Sequence, residues 1–193
     1  MAAKKTHRLT VTAMLGAVAT VLMFLEFPVP FLVPPFIKMD ISELPALLAS
    51  FSLGPVYGVA VCLIKNIVNL SHSYSGGVGE LANFLIGAVY AYTAGLIYQK
   101  HKSRRGALVA SAAASIAMAI ASLPINYYIT YPFYQKLMPL AQILDAYSAI
   151  RPGADSLFEC LLIFNLPFTL VKGVVVAALC FLIYKPLSPM LHR

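Results

Sequence analysis

The sequence predicts an all-α membrane protein of six transmembrane helices with both termini cytoplasmic. Three observations predict it. Apolar residues make up 60% of the chain and charged residues 11%, with a mean hydropathy of +0.82, far from the balance of a soluble domain. The apolar residues fall into runs long enough to cross a ~30 Å hydrocarbon core as helices. The basic residues, which give the chain a net charge of +7, gather at the tails and at one junction between runs, which sets an orientation. The 193 residues are expected to form one transmembrane substrate-binding domain, 1–193, with no soluble domain. Its crossings are placed at about 9–26, 42–54, 55–71, 79–99, 106–128 and 157–184.

The first crossing follows Lys4, Lys5 and Arg8, a pattern shared with signal peptides. It ends in Glu26-Phe27-Pro28-Val29-Pro30 with no small-x-small cleavage site, so it is expected to be retained. Within it, Ala13 and Ala17 form a small-xxx-small surface, suited to close approach of another helix or to internal packing. Segment 28–40 then carries Pro28, Pro30, Pro34 and Pro35 among Phe31, Leu32, Val33 and Phe36. A rigid apolar loop of this kind suits either a cover over a cavity or an interfacial anchor.

Residues 41–71 as one helix would span roughly 46 Å, too long for the bilayer core unless strongly tilted. Gly54-Pro55 supplies a break, so two short antiparallel helices fit better, at least one of them buried in the bundle. A five-crossing count is the alternative. It would put the basic cluster Lys100, Lys102, Arg104 and Arg105 on the opposite face from the N-terminus. Six crossings put that cluster, the N-terminus, Lys185 and Arg193 on one side, which the positive-inside rule makes cytoplasmic. The third crossing carries Lys65, Asn66 and Asn69, with Lys65 expected to face away from any pocket.

Segment 72–79, with Ser73, Ser75, Gly76 and Gly77, reads as a flexible turn. The fourth crossing opens with Glu80 and Asn83 one turn apart, and the fifth ends in Asn126-Tyr127-Tyr128. Segment 131–156 has Leu137, Leu140, Ile143 and Leu144 at helical spacing and is expected to lie as a helix on the outer surface. In the sixth crossing, Asn165, Thr169 and Lys172 fall at i, i+4 and i+7, one polar stripe on an otherwise apolar helix. A charge at the bilayer centre costs about 2.5–3.5 kcal/mol on insertion scales, so Lys172 should face the protein interior and mark a site. Its carboxylate partner is expected to be Glu159 or Glu80.

Asparagines and tyrosines in the outward halves of these helices suit a flat, largely uncharged molecule with a hydrogen-bonding edge. Interhelical cross-linking is the plainer explanation for each single asparagine. The full expected contact set is Lys172, Asn165, Thr169, Asn126, Asn83, Glu80, Tyr127, Met39 and Asp40. An intramembrane enzyme is the competing class, but His7, His72, His101 and His192 all lie in tails or loops, and no nucleophile has a base within reach by sequence. No filter motif argues for a channel. Cys62, Cys160 and Cys180 lack metal or redox spacing and read as packing residues. No metal, cofactor or nucleic-acid partner is expected. With no Gly-x-x-x-x-Gly-Lys-Ser/Thr loop, energy from ATP would have to come from a partner.

Several stretches together resemble a known family. They are Glu26-Phe27-Pro28-Val29-Pro30-Phe31-Leu32, Asp40-Ile41-Ser42-Glu43-Leu44-Pro45-Ala46-Leu47, Leu53-Gly54-Pro55, Gly76-Gly77-Val78-Gly79-Glu80-Leu81-Ala82-Asn83-Phe84 and Asn165-Leu166-Pro167-Phe168-Thr169-Leu170-Val171-Lys172-Gly173. The chain resembles, over nearly its whole length, the riboflavin-specific S components of energy-coupling-factor (ECF) vitamin transporters. The resemblance implies a six-helix protein of the bacterial plasma membrane that captures riboflavin from outside. It would work with a transmembrane coupling subunit and two cytoplasmic ATPases. It also implies that Lys172, Asn165 and Asn126 contact the vitamin and that Ala13 and Ala17 dock the coupling subunit. Thr169 departs from the pattern, standing where another asparagine is expected. The same architecture serves other vitamins, so a different vitamin or flavin mononucleotide (FMN) stays open as the ligand.

Overall fold

The computed structural model describes residues 2–73, 75–154 and 156–191; Arg193 lies outside them. The architecture is helical apart from one two-residue pairing, β1 (Phe27–Pro28) with β2 (Lys38–Met39), antiparallel. Among the described residues, four helical stretches are long and apolar enough to cross a membrane: Lys5–Phe24, Val78–Lys100, Arg104–Leu137 and Leu157–Ile183. They fall on α1 (Ala2–Phe24), α4 (Val78–Lys100), α5 (Arg104–Ile125) continued by α6 (Tyr131–Leu137), and α8 (Leu157–Cys160) continued by α9 (Leu166–Leu191).

Between the first two lie α2 (Glu43–Ser52) and α3 (Pro55–Asn69). At 1.5 Å per residue they measure about 15 and 22 Å, and neither alone matches the hydrocarbon core. Their junction is set by Gly54, whose φ of 121° is open to glycine, followed by Pro55 at the first helical position. Every residue of α2 from Glu43 to Phe51 is buried. The two helices lie in close contact at Gly58, where an added Cβ would meet Ser50 Oγ at 1.8 Å.

The basic clusters gather at one end of the bundle. The Arg8 guanidinium stands 5.8 Å over the Tyr57 ring, near the start of α3. Gly95 of α4 lies against Pro55, where a Cβ would approach Pro55 Cα at 2.7 Å. Phe51 and Tyr98 are ring partners at 4.6 Å, and Ile97, Tyr98 and Ile183 pack on the same core cluster. The N-terminal turns of α1, the 100–105 junction and the far end of α9 therefore share this end. Midway along, the Tyr90 hydroxyl donates to the Gly173 carbonyl at 2.9 Å and ties α4 to α9.

At the opposite end, segment 131–156 is not one surface helix. It divides into α6 and α7 (Leu140–Ser148) because Pro139 forces Met138 into an extended conformation, φ −145° and ψ 145°. Leu137 is exposed, whereas Ile143 and Tyr147 of α7 are fully buried in a second core with Val33, Tyr131 and Phe164. The proline-rich segment packs onto this core, with the Phe36 ring edge-on to Tyr134 and Tyr147, both at 6.1 Å. Its other aromatic side chain, Phe31, points outward and is 76% exposed.

Candidate substrate-binding site

The end of the bundle away from the basic clusters holds a cavity of about 760 Å³. It falls in the range typical of small-molecule sites, about 300–1,000 Å³. Its wall carries Glu26, Phe36, Ile37 and Lys38 from the proline-rich segment and its flanks, so that segment lies over the cavity. Apolar surface comes from Met23, Ile86, Met118 and Phe168.

Of the expected contact set, Lys172, Asn165, Thr169, Asn126, Asn83, Glu80 and Asp40 all line this cavity. Met39 and Tyr127 do not. Met39 is buried in the outer core, because strand alternation turns it opposite to Lys38. Tyr127 projects outward, its ring edge-on to Tyr128 at 5.0 Å and to Phe158 at 6.1 Å. One helical position separates Asn126 from Tyr127, about 100° of rotation, so both cannot face one cavity.

Asn126 and Asn165 share an uncommon local geometry. Each sits in a π-helical turn, Asn126–Thr130 and Leu161–Asn165, closed by i to i+5 bonds from Tyr131 N–H to Asn126 C=O and from Leu166 N–H to Leu161 C=O. Pro124 and Pro132 border the first turn and Pro167 follows the second, and none can donate to a regular helical ladder. Such wide turns are frequent at functional sites because they re-aim side chains.

At the base of the cavity Lys172 Nζ donates to Asp40 Oδ2 at 2.8 Å and lies 3.0 Å from Glu43 Oε2. Its expected partners are therefore corrected. Glu159 closes a capping box with Ser156 at the exposed start of α8. Glu80 accepts from Asn69 at 3.3 Å, Ser73 at 2.7 Å and Ser75 at 3.1 Å.

Lys65, expected to face away from any pocket, does not line the cavity. It is fully buried and donates to Glu43 Oε1 at 2.7 Å and to Ser42 Oγ. Ser42 in turn donates to Asp40 Oδ1 from its hydroxyl and, at 2.8 Å, from its backbone N–H. Lys172, Asp40, Ser42, Lys65 and Glu43 thus close a circuit with two positive and two negative charges. Burial alone would raise the Asp40 pKa, but the Lys172 and then the Lys65 ammonium hold it below the ordinary carboxylate range. Lys172 donates a hydrogen bond to Asp40 and forms an ion pair with Glu43, and its ammonium, which carries three donors, also lines the cavity.

Sequence reasoning missed Glu43 and the pairing of Lys65 with it. The signal was present in both: each is a charge inside an apolar helix, the same signal that marked Lys172. Elsewhere on the wall, Asn83 Oδ1 accepts from Asn66 Nδ2 at 3.2 Å. Cys62, Cys160 and Cys180 are buried, and among the described residues no cluster of metal-ligating side chains occurs.

The outward face of α1 is separate from the cavity. Ala13 and Ala17 are exposed there, beside Met14, Val18 and Val21. Gly16 faces inward against Ile64 of α3, where a Cβ would meet Ile64 Cγ2 at 2.8 Å. The close-packing role inside the bundle thus falls to Gly16, and the two alanines are left facing out.

The chain is similar over nearly its whole length to known proteins. Residues 7–184 match the family model described as ECF transporter, substrate-specific component. Riboflavin transporter RibU of Staphylococcus aureus (strain TCH60) is 36% identical, over 98% of this chain and 95% of its own length. Riboflavin transporter FmnP of Bacillus subtilis (strain 168) is 32% identical, over 98% and 96%. A solved structure, described as "Structure and mechanism of the S component of a bacterial ECF transporter", superposes with a TM-score of 0.76 at 34% identity, covering 98% of this chain and 99% of that one.

Proposed function

We infer the function from one premise: the chain belongs to the family of ECF transporter substrate-specific components. It is a multi-pass membrane protein of a transporter, not an enzyme. We propose that it binds riboflavin in the cavity above Lys172 and delivers it with a coupling subunit and two cytoplasmic ATPases. The observation that carries the ligand is the near full-length similarity to two riboflavin transporters.

The chemistry of the wall supports this reading. Riboflavin has a flat apolar tricycle, a pyrimidine edge that alternates acceptors and a donor, and a ribityl chain of hydroxyls. Lys172, Asn126 and Asn165 suit the edge, Phe36, Ile86 and Phe168 suit the rings, and Glu80, Asn83 and Thr169 suit the hydroxyls. FMN fits less well. Lys38 and Lys172, the cationic residues on the wall, each already sit on a carboxylate, so neither is available to balance a phosphate.

For the topology we propose six crossings, α2 and α3 completing the four long stretches. The end bearing Arg8 and the 100–105 cluster would be cytoplasmic, by the positive-inside rule, and the cavity would open outside. Ala13 and Ala17 would then form the docking surface for the coupling subunit.

The test is a fluorescence titration of the purified chain with riboflavin, FMN, thiamine and biotin. Riboflavin should bind one to one with quenching, and more tightly than FMN. Tight thiamine or biotin binding without riboflavin binding would overturn the ligand while leaving the family intact.

A further inference from the structure

The cavity wall contains a closed hydrogen-bond ring that fixes which way one ligand-facing amide points. Tyr147 Oη donates to Asn165 Oδ1 at 2.7 Å, Tyr131 Oη and Tyr147 Oη are bonded to each other, and Asn165 Nδ2 donates to Tyr131 Oη at 3.5 Å. All three side chains are at least 95% buried, and Tyr147 is wholly so. The protons can be counted. A phenol has one proton to donate, and Tyr147 places its own on Asn165 Oδ1, so Tyr131 must donate to Tyr147. The reverse circulation would require the amide to be flipped, with nitrogen against Tyr147. The 2.7 Å separation matches an O–H···O bond, whereas N–H···O bonds centre near 2.9–3.0 Å. Only the first circulation puts the short edge on a hydroxyl-to-carbonyl bond.

We propose that Tyr147 and Tyr131 are positioning residues that set the specificity of Asn165: they hold its carbonyl in the ring and present its remaining N–H to the cavity, so that this position selects a hydrogen-bond acceptor on the ligand. The proposal rests on the riboflavin reading, under which that acceptor is one of the two pyrimidine carbonyls. Asn165 and Tyr131 line the cavity, whereas Tyr147 reaches in from α7 behind them. Tyr147 therefore shapes recognition without touching the ligand. Phe36 of the covering segment rests edge-on against the same Tyr147 ring, so the covering segment and the amide share one support.

The experiment uses the full-length purified protein, riboflavin, and two riboflavin analogues in which one or the other pyrimidine carbonyl oxygen is replaced by an amino group, a donor in place of an acceptor. Wild type should bind riboflavin and discriminate against one of these analogues. Tyr147→Phe keeps the ring and its packing but removes the proton that pins the amide. It should weaken riboflavin binding by about two- to tenfold, the range for one neutral hydrogen bond, and narrow the preference over that analogue because the amide can now turn its carbonyl inward. Asn165→Asp, an acceptor in place of the amide donor, should reverse the preference. Thermal unfolding of each variant separates loss of fold from loss of recognition. A Tyr147→Phe protein that weakens all three ligands by the same factor, or none, would reduce the ring to packing and overturn the proposal. Failure of wild type to bind any of the three would overturn the functional reading itself.

Discussion

Ala13→Trp or Ala17→Trp is expected to abolish riboflavin uptake and leave riboflavin binding unchanged. Both alanines face outward on α1, whereas the inward face of that helix is Thr12, Gly16, Ala19, Thr20 and Met23. Among the described residues of α1, Met23 and Phe24 line the cavity, Met23 about 15 Å along the axis from Ala13 and about 9 Å from Ala17. An outward indole displaces nothing inside the bundle and is tolerated against lipid, so the fold and the site should persist. A partner helix that needs close approach across small residues would be held away. Two readings on one variant decide the matter: titration of the isolated protein, and uptake in cells expressing the complete transporter. Loss of binding together with uptake would place the alanines in the bundle interior. Normal uptake in both variants would remove the docking surface from the account.

Lys172→Ala is expected to weaken riboflavin binding by about 1–3 kcal/mol, roughly 5- to 150-fold, the loss typical of a charged hydrogen-bond partner. It should also lower stability, because Asp40 and Glu43 would remain buried with only Ser42 and Lys65 to meet them. Lys65→Ala makes the separation. Lys65 does not line the cavity, yet it holds Glu43 and Ser42 on the far side of the circuit. It should cost stability on the scale of a broken buried pair, about 3–5 kcal/mol, with a smaller loss of affinity per folded molecule. Wild-type affinity in a folded Lys172→Ala protein would make this lysine purely structural.

The circuit also shows where sequence reading reaches its limit. The helical class and the long apolar stretches were legible because hydropathy is a local property, read within a window of about 20 residues. Lys172 was legible for the same reason, as a charge in an apolar run. Its partners were not, since Asp40 lies 132 residues away and is brought to it only by the packing of α2 against α9. The expectation fell instead on Glu159 and Glu80, carboxylates closer in sequence or higher on the same walls, each of which has local partners of its own. Lys65 was expected away from the pocket and does not line it, but its pairing with Glu43 and Ser42 was not legible, because a helix can be read from periodicity while the partners of its side chains depend on which neighbour it meets. The division of segment 131–156 could have been read from Met138-Pro139, but the apolar spacing across it masked the break. The ring of Tyr131, Tyr147 and Asn165 joins two segments through side-chain termini alone, and tyrosines near a membrane surface have too many ordinary roles for spacing to single these out.

Riboflavin binding is tested most directly by one absorption spectrum, that of the purified protein. Expressed in riboflavin-containing medium and washed free of unbound flavin, it should be yellow, carry about one flavin per chain as expected for a cavity of about 760 Å³, and release riboflavin itself on denaturation, identified by mass. A folded protein that is colourless, and that stays colourless after incubation with riboflavin and removal of the excess, would contradict riboflavin binding.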